Sequence, residues 1–272
     1  TEDFQDILLK ALRKNRIKKN LLIWRSVLVV LNAIEKGEIK KGETIGVISH
    51  SLNGIDLQIL KIKIIKKNNE NYLVPERGNE GKSLITNFGY ENLLEQAFCK
   101  LKENNTEIGD VALKCSNSIA LLSLGLPAKN ELLRKNNGNW YELSPKDEIT
   151  FDDFFINEDS NLAQYFNKCD KVIFESFSDG KLLSTIISFL EGKIKKDLII
   201  KSGTSVAEGG LYASYRLLND IDIYYDYLPQ ISTFVADNES DEIKNFDLID
   251  QSDTIKAGKL YKSAKPATLG LL

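Results

Sequence analysis

The chain has 272 residues, 42% hydrophobic and 28% charged, and its 36 basic residues nearly balance its 39 acidic ones. That balance argues against a nucleic-acid partner, because neutralising phosphates calls for an excess of Lys and Arg on one face. No stretch approaches the roughly 18 uninterrupted apolar residues of a membrane-spanning helix and no basic-then-apolar leader opens the sequence, so no membrane partner is expected and a cytoplasmic location is.

Residues 4–35 carry apolar side chains at helical spacing, broken by the basic run 13–19, and predict two helices. The second, 21–34, is nearly continuously apolar, as in a helix packed on several sides, and Gly37 ends it. Strands are expected at 44–48 and 55–65, joined by a short polar break ending in Asn53-Gly54, which is a strong hairpin signal. A third strand is expected at 71–74. An amphipathic helix is predicted over 91–103, a second within 111–124, and a short helical piece from Pro127 to near Asn136. Residues 140–143 read as a strand, and Thr150 with Asp153 reads as a weak capping box for a helix through Phe166. Strand 171–174, loop 175–180, helix 181–190, strand 198–201 and helix 206–218 then alternate, which implies a sheet with helices on its faces. From Tyr224 onward, short runs such as 231–235 and 246–249 predict strands in a separate small unit.

Cys99, Cys115 and Cys169 show no C-x-x-C spacing and are expected as core thiols rather than as disulfide or zinc ligands. His50 is the only histidine, which excludes HExxH and other multi-histidine metal sites, so no metal motif is present. With no methionine, even at its start, the sequence is expected to be a fragment or to have lost modified methionines. Gly78 to Ser83 ends like a phosphate loop, but Glu76 occupies the first required glycine position, and a solvated loop is expected. Acidic Asp147, Glu148, Asp152 and Asp153 are read as a helix N-terminus attracting carboxylates. The 44–60 hairpin could aim several backbone amides at an anion. His50, at its turn, is expected as an exposed residue; the alternatives are anion contact when protonated, or activation of Ser49 or Ser51.

The order helix, hairpin, third strand, glycine loop, helix pair, strand, helix, β-α-β-α over residues 21–218 resembles the second lobe of the actin-like ATPase superfamily, and within it the seventy-kilodalton heat-shock chaperones. The residues that carry it are 25–37 before the hairpin, Ile45-Gly46-Val47-Ile48-Ser49-His50-Ser51-Leu52-Asn53-Gly54-Ile55-Asp56 at it, 88–94 at the next loop-helix junction, 170–177 at the adenosine loop, and Val206-Ala207-Glu208-Gly209-Gly210-Leu211-Tyr212-Ala213. The last is similar to the chaperones' alanine-glycine helix, where small residues let the helix and the nucleotide-side loop approach closely. Tyr225 to Ser232 and the following strands are similar to the linker and first strands of a chaperone peptide-binding domain; Tyr224 to Tyr227 are read as a peptide-contacting aromatic strip or, equally, as a linker packed against the lobe.

The resemblance implies an α/β fold: an actin-like, ribonuclease-H-like ATPase lobe over 44–218, with a helical insertion at about 91–166, a helical remnant of a first lobe at 1–43, and a linker with a β-rich tail at 219–272. It implies that ATP or ADP, if bound at all, would meet Ser49, His50, Ser51, Asn53, Gly54, Glu175 and Ser176. The departures are chemical. The family's hairpin aspartate, glycine run and Thr or Ser are replaced by Ser49, His50, Ser51, Leu52 and Asn53, and only Asp56 persists. The adenosine-loop glycines are replaced by Glu175 and Ser176, with Phe177 beside them, and the acidic charge and added bulk should repel or block a nucleotide. Hydrolysis by this chain alone is therefore not expected, since phosphoryl transfer rests on positioning and charge neutralisation. A chaperone-like binding or regulatory module, with a protein or peptide client, is the leading expectation. The alternatives are the nucleotide-binding half of an ATP-dependent chaperone and a sugar- or acid-kinase relative.

Overall fold

In the computed structural model, which describes residues 2–17, 21–143, 151, 154–157, 161–236, 243–250 and 252–259, the chain opens with two helices, α1 (Glu2–Lys14) and α2 (Arg25–Glu35). Then follow β1 (Thr44–His50), β2 (Gly54–Lys67), β3 (Glu70–Arg77) and β4 (Lys82–Ile85). An insertion carries α3 (Tyr90–Asn104), α4 (Asp110–Lys114), α5 (Asn117–Ser123), β5 (Glu131–Arg134) and β6 (Trp140–Leu143). After α6 (Leu162–Tyr165) come β7 (Lys171–Ser176), α7 (Gly180–Ile194), β8 (Leu198–Ser202) and α8 (Thr204–Leu218), and then β9 (Tyr225–Tyr227), β10 (Ile231–Ala236), β11 (Ile243–Ile249) and β12 (Thr254–Lys256).

The protein is a mixed α/β structure built on an eight-stranded sheet in the order β12-β9-β3-β2-β1-β7-β8, with β4 also paired to β2. β1, β2 and β3 form an antiparallel meander, whereas β7 lies parallel to β1 and β8 parallel to β7. Both faces of β1 are covered. Ile45 and Val47 pack on one side with Val27, Val30 and Leu31 of α2 and Ala213 of α8. Ile48 packs on the other side with Phe88, Phe174 and α7 residues Leu182, Ile186 and Leu190. The pattern of β2 follows from this layering. Its buried apolar residues are odd-numbered near the hairpin (Ile55, Leu57), where they join the core on the α7 face, and even-numbered further on (Leu60, Ile62), where they join the core on the α2–α8 face.

Two predicted elements are corrected. The helical piece expected from Pro127 to Asn136 is strand β5, paired with β6 across a turn in which Gly138 takes φ +86°. Asn137-Gly138 is the hairpin signal that the sequence reading passed over. Between Leu143 and Phe166 the described helix is only α6; Asp147, Glu148, Thr150, Asp152 and Asp153 lie outside the described residues. The insertion is thus partly β-structured, with its own core around Ala97, Ile108, Leu113 and Ile119. Nor is the tail wholly separate. β10 and β11 pair with each other, but β9 and β12 extend the main sheet beyond β3. Arg77 secures that extension: it pairs with Asp226 at 2.9 Å and lies 4.0 Å from the Trp24 ring centroid and 4.7 Å from that of Tyr227. Trp24 Nε1 donates to the same Asp226 at 2.9 Å. Tyr224 to Tyr227 therefore pack on the main sheet and its core, as in the linker-packing reading rather than as an exposed strip.

The cysteine expectation holds for one residue of the three. Cys99 and Cys115 are exposed, on α3 and just after α4, and only Cys169 is buried, where it packs beneath Gly46. Burial pushes the Cys169 thiol up to about 11, so on the order of one in a thousand is ionised at pH 8. A thiol reagent such as dithionitrobenzoate should label Cys99 and Cys115 within minutes and Cys169 only on denaturation. Three equally fast thiols would contradict this burial pattern. Among the described residues no helix is long and apolar enough to cross a membrane.

Candidate functional site

The parallel pairing of β1 with β7 sets Ser49 beside Glu175, and the antiparallel pairing of β1 with β2 sets His50 opposite Ile55. Ser49, His50, Ser51, Asn53, Gly54, Glu175 and Ser176 consequently gather at one end of the sheet, where β1 and β7 present their carboxyl ends. That end is where open α/β sheets place ligands. Strand alternation then divides the group: Ser49 and Glu175 face α2, while His50 and Ser176 face α7.

The hairpin tip is fastened to its neighbours by its backbone. Ser51 N–H donates to Gly54 O at 2.8 Å. The carbonyls of Ser51 and Leu52 accept the first amides of α3, from Tyr90 at 3.2 Å and Glu91 at 2.9 Å, and Asn53 O accepts from Thr86 N–H at 3.1 Å. Gly89 makes this approach possible: a Cβ there would lie 2.3 Å from the Asn53 carbonyl carbon and the Gly54 nitrogen. The helix-start amides of α3 that could have met an anion are thus occupied by tip carbonyls.

His50 is not an exposed turn residue. It closes β1, fully buried, with its ring stacked on Phe177 at 3.9 Å between centroids and 5.7 Å from Phe88. Nε2 bonds to the carbonyl of Phe88 and Nδ1 lies 2.8 Å from Ser176 Oγ. Because a carbonyl can only accept, Nε2 carries the proton and Nδ1 accepts from the Ser176 hydroxyl, which in turn accepts from Ser178 N–H at 2.9 Å. Its partner is Ser176, not Ser49 or Ser51. Burial, opposed by the Phe88 bond and reinforced by the Arg25 charge, lowers the His50 pKa from 6.5 to about 4. The imidazole is therefore neutral at neutral pH.

Glu175 also departs from expectation. It lies within β7 rather than a loop, fully buried, and both carboxylate oxygens accept from Arg25, from Nε and Nη2 at 2.7 Å each. Its charge is neutralised in place by the Arg25 guanidinium. Ser49 Oγ, on the same face, is buried with no partner among the described residues. Asp56 is exposed at the hairpin edge and accepts from Ser83 Oγ at 2.6 Å. The Gly78–Ser83 segment leads into strand β4, with Lys82 and Ser83 paired to Leu57 and Asp56, rather than into the helix a phosphate loop requires. Its start borders an open groove of about 330 Å³ shared with Arg77, Tyr227 and Asp253, away from the hairpin tip.

Arg25 and Phe88 are the site residues that the expected set lacked, whereas Phe177 was expected beside Glu175 and Ser176. One signal was available: an acidic residue at the end of a strand between two covered faces requires a cation, and Arg25 opens the helix that covers that face. The aromatic contacts carried no comparable signal. Among the described residues, no group of His, Cys, Asp and Glu could hold a metal ion. No protein-family model matches the chain, and no curated protein matches it.

Proposed function

We propose that the chain is an actin-like lobe related to the seventy-kilodalton heat-shock chaperones, acting as a binding or regulatory module for a protein or peptide client, with a nucleotide site too altered to drive hydrolysis. The observation that supports the reading is the strand order β3-β2-β1-β7-β8, an antiparallel meander continued by two parallel strands, with Ser49 in register with Glu175. The hairpin and the β7 end, whose residues the resemblance assigns to one nucleotide site, are thus neighbours. The altered chemistry is supported by what fills the junction: His50 and Phe177 stacked in it, α3 amides taken by the hairpin tip, and Glu175 locked to Arg25.

Calorimetric titration of the full chain with magnesium ATP and magnesium ADP tests this reading. No saturable binding is expected up to about 1 mM nucleotide, which corresponds to roughly −4 kcal/mol. Micromolar binding followed by turnover would overturn it in favour of the nucleotide-binding half of an ATP-dependent chaperone.

A further inference from the structure

The His50 network joins three separate segments: the end of β1, the β4–α3 junction through Phe88, and the β7–α7 loop through Ser176, Phe177 and Ser178. The β7–α7 loop has a second attachment, since Asp179 N–H donates to Leu124 O in the insertion at 2.8 Å. A single side chain thus ties the hairpin to a loop that also touches the insertion. The tie is fully satisfied in one protonation state only. A proton on Nδ1 turns that nitrogen into a donor, so Ser176 Oγ would have to accept from both Nδ1 and Ser178 N–H, and the Ser176 hydroxyl proton would lose its acceptor. The new charge would also sit among Phe88, Phe174 and Phe177.

Among the described residues packed around His50, no free carboxylate stands ready to compensate it. From β2, Ile55 lies opposite His50, and Asp56 is exposed and bonded to Ser83. From β7, Glu175 faces α2 and is held by Arg25. From the β7–α7 loop, Asp179 caps α7 by accepting Gly180 N–H. The β4–α3 side presents Phe88 and Tyr90, with Tyr90 set edge-on to Phe177. Arg25 acts on the imidazole from α2 and opposes its protonation.

We infer that His50 is an acid-sensitive latch: while neutral it holds the hairpin to the β7–α7 loop, and on protonation it releases that loop and uncovers Phe177. The inference concerns regulation of the junction used in the functional reading above. Its test follows a proton rather than a nucleotide, so the two can fail separately.

As the chain's only histidine, His50 gives one imidazole signal in a proton NMR titration. The expected midpoint is near pH 4. Amide exchange at Phe177 and Ser178, corrected for intrinsic rates, should show an opening equilibrium that grows about tenfold for each pH unit from about 6.5 down to about 4 and levels below that. His50→Gln keeps a neutral donor and acceptor and should flatten this dependence, separating it from carboxylates titrating in the same range. An imidazole midpoint near 6.5, exchange that ignores the imidazole titration, or an unchanged acid response in His50→Gln would each overturn the latch. If His50→Gln does not fold, the titration and exchange of the unaltered chain still decide the matter.

Discussion

Gly209→Ala is expected to cost about 3 kcal/mol of folding stability, at the upper end of the cost of overpacking by one methyl group. α8 crosses α2 so closely that a Cβ at Gly209 would stand 2.0 Å from the Leu28 carbonyl oxygen and 2.6 Å from its carbon. Backbone cannot swing aside as a side-chain tip does, so the helices must separate. The loss spreads to the core shared by Val27, Val30, Leu31 and Ala213. Gly210 is the matched control, because nothing lies within 4 Å of its Cβ position. Gly210→Ala should be neutral or stabilise by about 0.5–1 kcal/mol through helix propensity alone. Urea midpoints at constant slope measure both, and equal midpoints would refute the close crossing. Gly209 and Ala213 thus serve the contact with α2, whereas the family resemblance assigns the small residues of this helix to contact with a nucleotide-side loop.

Arg25→Leu is expected to cost about 3 kcal/mol, because it leaves the Glu175 carboxylate in the sheet without its cation. The figure sits at the low end for a broken buried pair, since the Arg25 side chain is 44% exposed and water can reach part of the vacated space. Removing both charges should cost less than removing one. Arg25→Leu combined with Glu175→Leu should therefore recover much of the loss, and a double-mutant cycle on unfolding free energies reads the coupling directly. Additive losses would show that the pair contributes nothing beyond its separate side chains. The same pair bears on the site, since a Glu175 freed from Arg25 would present the negative charge that the sequence reading expected.

Local signals in the sequence located most elements. The Asn53-Gly54 hairpin, the nearly all-apolar α2 and the β-α-β-α run at 171–218 each carry their periodicity and their stop signals within a few residues. They failed where two signals competed. Pro127 suggested a helix start, whereas Asn137-Gly138 and the pairing of Glu131 with Leu143 made a hairpin. Cys99 and Cys115 look like core residues by type, but which face of a helix meets solvent depends on what packs against it.

The sequence by itself determined the α/β class and most of the order of elements, because hydrophobic period and turn chemistry are properties of adjacent residues; the meeting of the β1 and β7 ends was implied only by the family resemblance. Only the tertiary structure decided what the residues there do to one another. His50 became a buried neutral bridge and Glu175 a neutralised strand residue because Phe88, Ser176, Phe177 and Arg25 reach them from segments distant in the chain. Burial and pairing set the charge of such groups, and both arise from contacts that no local pattern encodes.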